Sequence, residues 1–154
     1  IFRAIKRLTD EFPDIKVIYP IHKNPKVREV ANEIFGDSNK VKLIEPLEVF
    51  DFHNFAARSF MILTDSGGVQ EEAPSLGKPV LVLRDTTERP EGIAAGTLKL
   101  AGTDEETIYA LAKELLTDEN AYKEMAYASN PYGDGFASQR IVEALINFLN
   151  KSKE

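Results

Sequence analysis

Short apolar runs alternate with segments of helical periodicity along the whole chain. Five runs predict β-strands, at residues 15–21, 41–45, 60–63, 79–84 and 97–102. Around them, apolar residues recur three and four positions apart, which places them on one face of a helix. This spacing predicts helices at residues 2–12, 25–36, 48–59, 69–73, 108–115 and 141–149.

Strands that alternate with helices predict a parallel sheet with helices on both faces. The strands are nearly continuous apolar runs, which is typical of strands buried on both sides. No repeat, low-complexity segment or linker interrupts the pattern, and 154 residues suit one domain. Thr103 or Asp104 is the predicted N-cap of the helix at 108–115. The predicted fold is a doubly wound α/β domain over residues 1–154.

Composition excludes several classes of function. The net charge of −6 argues against a nucleic-acid partner, because such proteins carry a basic surface. No apolar stretch approaches the ~20 residues that span a bilayer, and no secretory signal pattern is present. We therefore expect a cytoplasmic protein without a membrane partner. Cysteine is absent and His22 and His53 are the only histidines, so no disulfide, thiolate or histidine-rich metal site is expected.

Polar stretches follow the predicted strands. In a doubly wound sheet, ligands bind beyond the carboxyl ends of the strands. The stretches that follow the first four strands are HKNP, EPLE, TDSGG and RDTTERPEG. We expect them to meet at one rim and to form the functional site there.

The turn after the third strand is a candidate phosphate site. Ser66, Gly67 and Gly68 precede a predicted helix, whose first N–H groups lack partners within the helix. Glycine would let a phosphate approach those groups closely. Alternatively, Asp65 or Ser66 caps the helix and the glycines only shape the turn. The stretch matches neither the Walker A pattern nor the dinucleotide-binding GxGxxG pattern.

Carboxylates follow in the same helix. Glu71 and Glu72 lie near its start, where the helix dipole favours negative charge. A carboxylate one turn beyond a phosphate site can also accept hydrogen bonds from both ribose hydroxyls, as the acidic residue of the Rossmann fold does. Pro74 falls inside this helix and should kink or shorten it.

Further candidates lie in the other stretches of the rim. Arg89 could hold a phosphate or a carboxylate by a bidentate contact, although RDTTERPEG could equally be a surface loop with internal ion pairs. His22 could donate a hydrogen bond to an oxyanion. Phe52 and His53 are typical of packing, but an aromatic ring at the rim could stack on a base. We interpret NPYGDGFAS (130–138) as a turn before the last helix.

Four segments, in this order and spacing, resemble the non-hydrolysing UDP-N-acetylglucosamine 2-epimerases: HKNP, LTDSGGVQEEAPSLGKPVLVLRDTTERPE, AGT and NPYGDG. The length of the second segment makes the match specific. The resemblance implies the C-terminal, UDP-binding half of an enzyme with two Rossmann-like domains of the glycosyltransferase-B type. The implied reaction interconverts UDP-GlcNAc and UDP-ManNAc without a nicotinamide cofactor or a metal. UDP is eliminated across C1–C2 and added back with C2 inverted.

The resemblance also implies roles for the matching residues. Ser66–Gly68 would hold the diphosphate, Glu72 the ribose hydroxyls, and Arg89 would lie near the phosphates. Phe52 would lie beside the uracil. His22 would reach the phosphate region or a neighbouring regulatory nucleotide site. The last two roles rest on the resemblance alone.

The implied full-length protein is a homodimer, and its N-terminal domain is a partner of this chain. The family's HRREN segment, and the acidic residues that transfer the proton at C2, lie in the part of the family that precedes the match. We therefore expect the chain alone to bind UDP without catalysing the reaction. Two other functions stay open: the donor-binding domain of a glycosyltransferase-B-type glycosyltransferase, and a non-catalytic module that binds nucleotide sugars. The RDTTERPE segment favours the epimerases over transferases.

Overall fold

The structure is a computed structural model that describes residues 1–36 and 38–151, so residues 37 and 152–154 of the predicted domain lie outside the described residues. The described helices are α1 (Phe2–Glu11), α2 (Pro25–Phe35), α3 (Val49–Arg58), α4 (Gly67–Glu72), α5 (Pro90–Ala95), α6 (Glu105–Thr117), α7 (Glu119–Ala126) and α8 (Ala137–Lys151). The strands are β1 (Val17–Pro20), β2 (Val41–Ile44), β3 (Ile62–Thr64), β4 (Val80–Val82) and β5 (Leu98–Leu100).

All strand pairs in these ranges are parallel. β1 pairs with β2 in the register Val17↔Val41, and β4 lies between β3 and β5. The hydrogen bonds thus form two sheets, β1-β2 and β3-β4-β5. Burial, and then the carboxylate of Asp65, raise the pKa of the Tyr19 phenol. Tyr19 lies in β1, and Asp65 directly follows β3.

Helices cover both faces of the β3-β4-β5 sheet. Leu81 packs into a core formed by residues of α1, α6 and α7. Val80 and Val82, which point to the other face of the same strand, pack with Ala73 and Leu98. Helices on both faces of parallel strands confirm the doubly wound α/β class.

Helix α1 connects the two sheets through its side chains. Its residues Ala4 and Leu8 belong to the core under β4. Phe2, on another side of the helix, lies 5.6 Å from the ring of Tyr19 and 5.3 Å from that of Phe35. One helix thus packs against strands of both sheets.

Two helix ends near the predicted boundaries follow the expected chemistry. Asp104 caps α6 by accepting a hydrogen bond from the Thr107 N–H, as predicted. α4 ends before Pro74, which lies in a 3₁₀ helix over Ala73–Leu76, because proline cannot donate the next helical hydrogen bond. The sequence did not predict α5 or α7. α5 begins at a proline inside the segment interpreted as a loop, and α7 follows α6 directly across Asp118.

Candidate functional site

The turn between β3 and α4 carries the first candidate residues. Thr64 Oγ1 accepts a hydrogen bond from the Ser66 N–H at 3.0 Å, which fixes the entry to the turn. Ser66 occupies the N-cap position of α4, but its side chain makes no capping hydrogen bond. The first N–H groups of α4 are therefore not used by a Ser66 cap and remain available to a ligand.

The protein itself does not require glycine at positions 67 and 68. Neither residue has a positive φ angle. A Cβ on Gly67 would lie 3.9 Å from Arg89 Nη2, and a Cβ on Gly68 would lie 3.9 Å from Ser66 Oγ, which are ordinary contact distances. Gly77, in contrast, has a φ of +65°. The fold therefore does not explain the two glycines. Close approach of a ligand to the backbone would explain them.

Arg89 joins this turn from the loop after β4. Its Nε donates to Glu71 Oε1 in an ion pair, and its Nη1 donates to the carbonyl of Glu88 at 3.0 Å. The guanidinium group thereby lies beside Gly67. Arg84 fits the alternative interpretation of RDTTERPEG as a surface loop with internal ion pairs, because it pairs with Glu88 within the loop at 2.7 Å. This interpretation does not hold for Arg89, whose ion pair reaches a different element.

Helix α3 brings an aromatic group to Glu72. His53 Nε2 lies 3.5 Å from Glu72 Oε2, a contact that becomes an ion pair when the ring is protonated. Phe52 packs edge-on against His53, with ring centroids 5.9 Å apart. The residue of α3 that contacts Glu72 is therefore His53, and Phe52 contacts His53. Sequence analysis assigned His53 to packing and missed this contact, because nothing in the sequence showed which side of α3 faces α4.

His22 lies after β1, where the sequence placed it. The side chain is exposed, and Nδ1 accepts a hydrogen bond from the Asn24 N–H at 3.1 Å. In the neutral ring this contact leaves the proton on Nε2, which can donate to a ligand. In residues 1–36 and 38–151, no hydrogen bond or ion pair joins His22 to Ser66, Glu72 or Arg89.

The described residues form one cavity beyond the carboxyl ends of β4 and β5 and another beside α4. One, of about 550 Å³, lies between Arg84, Gly102 and Asp104 and contains none of the predicted site residues. The other, of about 430 Å³, is lined by Glu71, Glu72 and residues of the NPYGDG segment. Glu72 is the one predicted site residue that lines the second cavity, and the Ser66–Gly68 turn and Arg89 lie outside its lining.

A metal site or a membrane span would be another functional feature of the described residues. No cluster of three or more metal-ligating side chains occurs within them. None of their helices combines the length and the apolar content that crossing a bilayer requires.

Two residues near the site escaped the sequence analysis. Tyr132 lies in the segment interpreted as a turn, yet its hydroxyl donates to the carbonyl of Arg89 at 3.5 Å. Burial raises the pKa of this phenol, so it keeps its proton. Gln70 is completely buried. The sequence contained one signal for this residue, because Gln70 is an uncharged polar residue between the apolar Val69 and the acidic Glu71 of α4.

The family model described as UDP-N-acetylglucosamine 2-epimerase matches residues 1–146. The chain belongs to this family. It is 71% identical over 153 residues to the UDP-N-acetylglucosamine 2-epimerase of Bacillus subtilis (strain 168), and it covers 40% of that protein. The chain thus spans about 40% of the length of the curated relatives it matches.

Solved structures of the epimerase family have the same fold. The S. aureus MnaA–UDP co-structure is 62% identical with a TM-score of 0.90, over 97% of this chain and 41% of that one. UDP-GlcNAc 2-epimerase from Neisseria meningitidis, bound to UDP-GlcNAc, is 46% identical with a TM-score of 0.89, over 95% of this chain and 40% of that one. These likenesses confirm the predicted fold class, a Rossmann-like half of a glycosyltransferase-B-type fold.

Proposed function

We propose that the chain is the UDP-binding domain of a UDP-N-acetylglucosamine 2-epimerase that interconverts UDP-GlcNAc and UDP-ManNAc. Family membership supports the reaction class. Two related proteins were solved with UDP or UDP-GlcNAc, which supports the choice of ligand. The cytoplasm remains the proposed compartment.

The observation that carries the proposal is the glycine pair at 67–68, which neither φ angle nor packing explains. A diphosphate is a ligand that benefits from such a turn, because its oxygens accept hydrogen bonds from backbone N–H groups. Arg89 adds a positive charge beside Gly67. We assign the diphosphate to Ser66–Gly68 and Arg89.

We assign the other predicted residues to the remaining parts of the nucleotide. Glu72, about half exposed, can accept hydrogen bonds from the ribose hydroxyls, and Phe52 in α3 can lie beside the uracil. His22 can donate from Nε2 to the phosphates or to a neighbouring nucleotide. These assignments rest on the resemblance together with the contacts of Glu72 and His22.

The proposed division of chemistry follows from these residues. When the C1–O bond to UDP breaks, negative charge grows on the diphosphate, and the turn N–H groups and Arg89 stabilise it. The C2 proton must leave from one face and return on the other, which requires acid–base groups at that carbon. We assign those groups to the N-terminal domain of the same enzyme.

Helix α8 supports this partner. All its described residues are exposed, although its periodicity is that of an amphipathic helix. The apolar residues on its surface are Ile141, Val142, Leu145, Ile146, Phe148 and Leu149. Exposed apolar surface of this kind marks an interaction site, and the N-terminal part of the longer relatives is the proposed occupant. A homodimer of the full-length protein completes the proposal.

We also propose that residues 1–154 form one domain. The support is helix α1, whose Ala4 and Phe2 pack in the cores of the two different sheets. A domain boundary between the sheets would have to divide this helix.

Titration of the ¹⁵N-labelled chain with UDP tests the proposal. We expect amide shifts at Ser66–Gly68, Glu72 and Arg89, and a smaller set when uridine replaces UDP. Shifts confined to the amino ends of the strands, for example at Lys16, Lys40 and Phe60, would contradict the proposed site. The absence of any shift with UDP would contradict the proposed function itself.

A further inference from the structure

Gln70 is the largest polar side chain that is completely buried in the described residues, with an exposed fraction of 0%. Burying a side-chain amide is unfavourable unless its donor and acceptor groups are hydrogen-bonded. An apolar side chain would fill the same space without this requirement. Its hydrogen bonds therefore show what the amide does.

The amide connects the two segments that we assign to the diphosphate. Gln70 Nε2 donates to the carbonyl of Ser66 at 3.3 Å, and Oε1 accepts from the Thr87 hydroxyl at 2.5 Å. Thr87 Oγ1 in turn accepts from the Arg89 N–H at 2.9 Å. A continuous chain of hydrogen bonds thus runs from the Ser66–Gly68 turn to the backbone of Arg89.

The chemistry of the partners fixes the orientation of the amide. The carbonyl of Ser66 can only accept, so the group facing it must be the NH₂ of Gln70. The Oε1 then faces Thr87, whose hydroxyl donates to it while accepting from Arg89. The backbone N–H of Gln70 also donates to the Ser66 carbonyl, at 3.2 Å. The Ser66 carbonyl therefore accepts hydrogen bonds from both the backbone N–H and the side-chain NH₂ of Gln70.

We propose that Gln70 is a positioning residue that sets the distance between the Ser66–Gly68 turn and Arg89, with Thr87 as its relay. The inference rests on the proposed function, in which these two segments bind one diphosphate. α4 precedes β4 and the Arg89 loop follows it. If this chain of hydrogen bonds were removed, α4 and Arg89 would still be joined by the ion pair of Glu71 with Arg89. Glu71 is partly exposed and fixes the guanidinium group, whereas Gln70 is buried and fixes the backbone.

A positioning role makes a prediction that a general packing role does not. Displacing the turn from Arg89 by a fraction of an ångström weakens a ligand that contacts both segments. It does not affect a ligand that contacts only Glu72 and Phe52. UDP and inorganic diphosphate belong to the first kind, and uridine belongs to the second.

The test uses Gln70→Met, which keeps an unbranched side chain of similar size, and Thr87→Val, which removes the relay hydroxyl with little change of shape. We expect each to weaken UDP and inorganic diphosphate about tenfold while uridine changes less than about twofold, by calorimetry and NMR titration. Thr87→Ser, which keeps the hydroxyl, should bind UDP like the unmodified chain.

Thr9→Val is the control, because Thr9 is a threonine in α1 whose hydroxyl also donates a hydrogen bond, in this case to the carbonyl of Lys6 at 2.8 Å. It should lower the thermal unfolding midpoint and leave UDP binding unchanged. Equal losses for UDP and uridine in Gln70→Met and Thr87→Val, or no loss for either, would overturn the positioning role. Failure of the unmodified chain to bind UDP would overturn the proposed function and the positioning role together. If Gln70→Met does not fold, Thr87→Val decides.

Discussion

At the scale of single residues, the adjacent carboxylates of α4 have different partners. Glu71 pairs with Arg89 from the loop after β4, whereas Glu72 contacts His53 from α3. Successive residues of a helix point about 100° apart, so the two side chains reach different neighbours. Glu71 thus orients the arginine, and Glu72 is the carboxylate that we assign to the ribose.

We expect Glu72→Gln to weaken UDP more than inorganic diphosphate. The proposed partner of the carboxylate is the ribose, and loss of a charged acceptor should cost about 1.5–3 kcal/mol of binding free energy. Calorimetry with both ligands measures the difference. Glu33→Gln, an exposed carboxylate near the end of α2, is the control and should bind both ligands normally. Equal losses for the two ligands in Glu72→Gln would reject the ribose role.

Gly68→Val should weaken both UDP and inorganic diphosphate at least about tenfold, because the new side chain would occupy the space from which the phosphate approaches the turn. The fold tolerates a Cβ at this position, so the circular dichroism spectrum should not change. Gly77→Ala is the converse control: its φ of +65° strains any side chain. It should lower the unfolding midpoint and spare binding. Normal UDP affinity in Gly68→Val would show that no ligand approaches there.

At the scale of elements, the cap of α6 gives the chain a pH-dependent contribution to stability. Hydrogen bonds from the Thr107 N–H and hydroxyl lower the pKa of Asp104 below its ordinary value of 3.8. The group is therefore ionised in the folded state and more easily protonated in the unfolded state. Its contribution is complete above the unfolded pKa and is lost as the pH falls through the folded pKa.

Asp104→Asn keeps an N-cap acceptor but removes the titrating group. We expect the urea midpoint of the unmodified chain to fall more steeply than that of this variant between about pH 5 and pH 3. Asp14→Asn, a substitution at an exposed aspartate outside the helices, should follow the unmodified chain. Parallel curves for Asp104→Asn and the unmodified chain would show that the cap does not contribute to the pH dependence of stability.

The elements also show what the sequence could predict. The strands were found because their apolar runs are short and end in polar residues, as at Thr64-Asp65-Ser66. Helix α5 was missed because Arg89, Pro90 and Gly92 are typical of a loop, although a proline at the first helical position also favours a helix start. Helix α7 was missed because Asp118 ends one helix and caps the next, so no loop separates the two patterns.

The sequence could predict the part of the candidate site that lies within one segment. It could not predict contacts between two segments. The turn at Ser66–Gly68 is a local pattern, and its glycines carried the phosphate hypothesis. The contact of Gln70 with Thr87 joins residues 17 positions apart across β4. The contact of His53 with Glu72 joins two helices. Such contacts depend on how elements pack, which apolar periodicity does not specify.

At the scale of the whole molecule, we expect the chain to bind UDP without epimerising UDP-GlcNAc. Epimerisation needs a base and an acid at C2 and a closed cleft that retains the glycal and excludes water. Three carboxylates line the second cavity: Glu71 pairs with Arg89, Asp134 pairs with Arg140, and Glu72 is assigned to the ribose. The measurement is deuterium incorporation at C2 of UDP-GlcNAc in D₂O.

A full-length epimerase such as the Bacillus subtilis relative is the positive control for that measurement. The chain alone should incorporate no deuterium, even at concentrations that saturate it with UDP-GlcNAc. Uptake catalysed by the purified chain would contradict the proposed division between two domains. It would place the base among Glu71, Glu72, Glu88 and His22. A chain that binds UDP and also stays inactive when its N-terminal partner is supplied would instead support a non-catalytic binding module.

The glycine pair in the turn also matters for protein engineering. Alanine favours a helix over glycine by up to about 1 kcal/mol per residue, and the space around Gly67 and Gly68 accepts its methyl group. A screen that rewards heat resistance alone would therefore enrich alanine at both positions. If the proposed site is right, these variants would be more stable and would bind the nucleotide less well, which is the usual conflict between stability and activity. A stabilisation campaign on this family should fix these two positions before it begins.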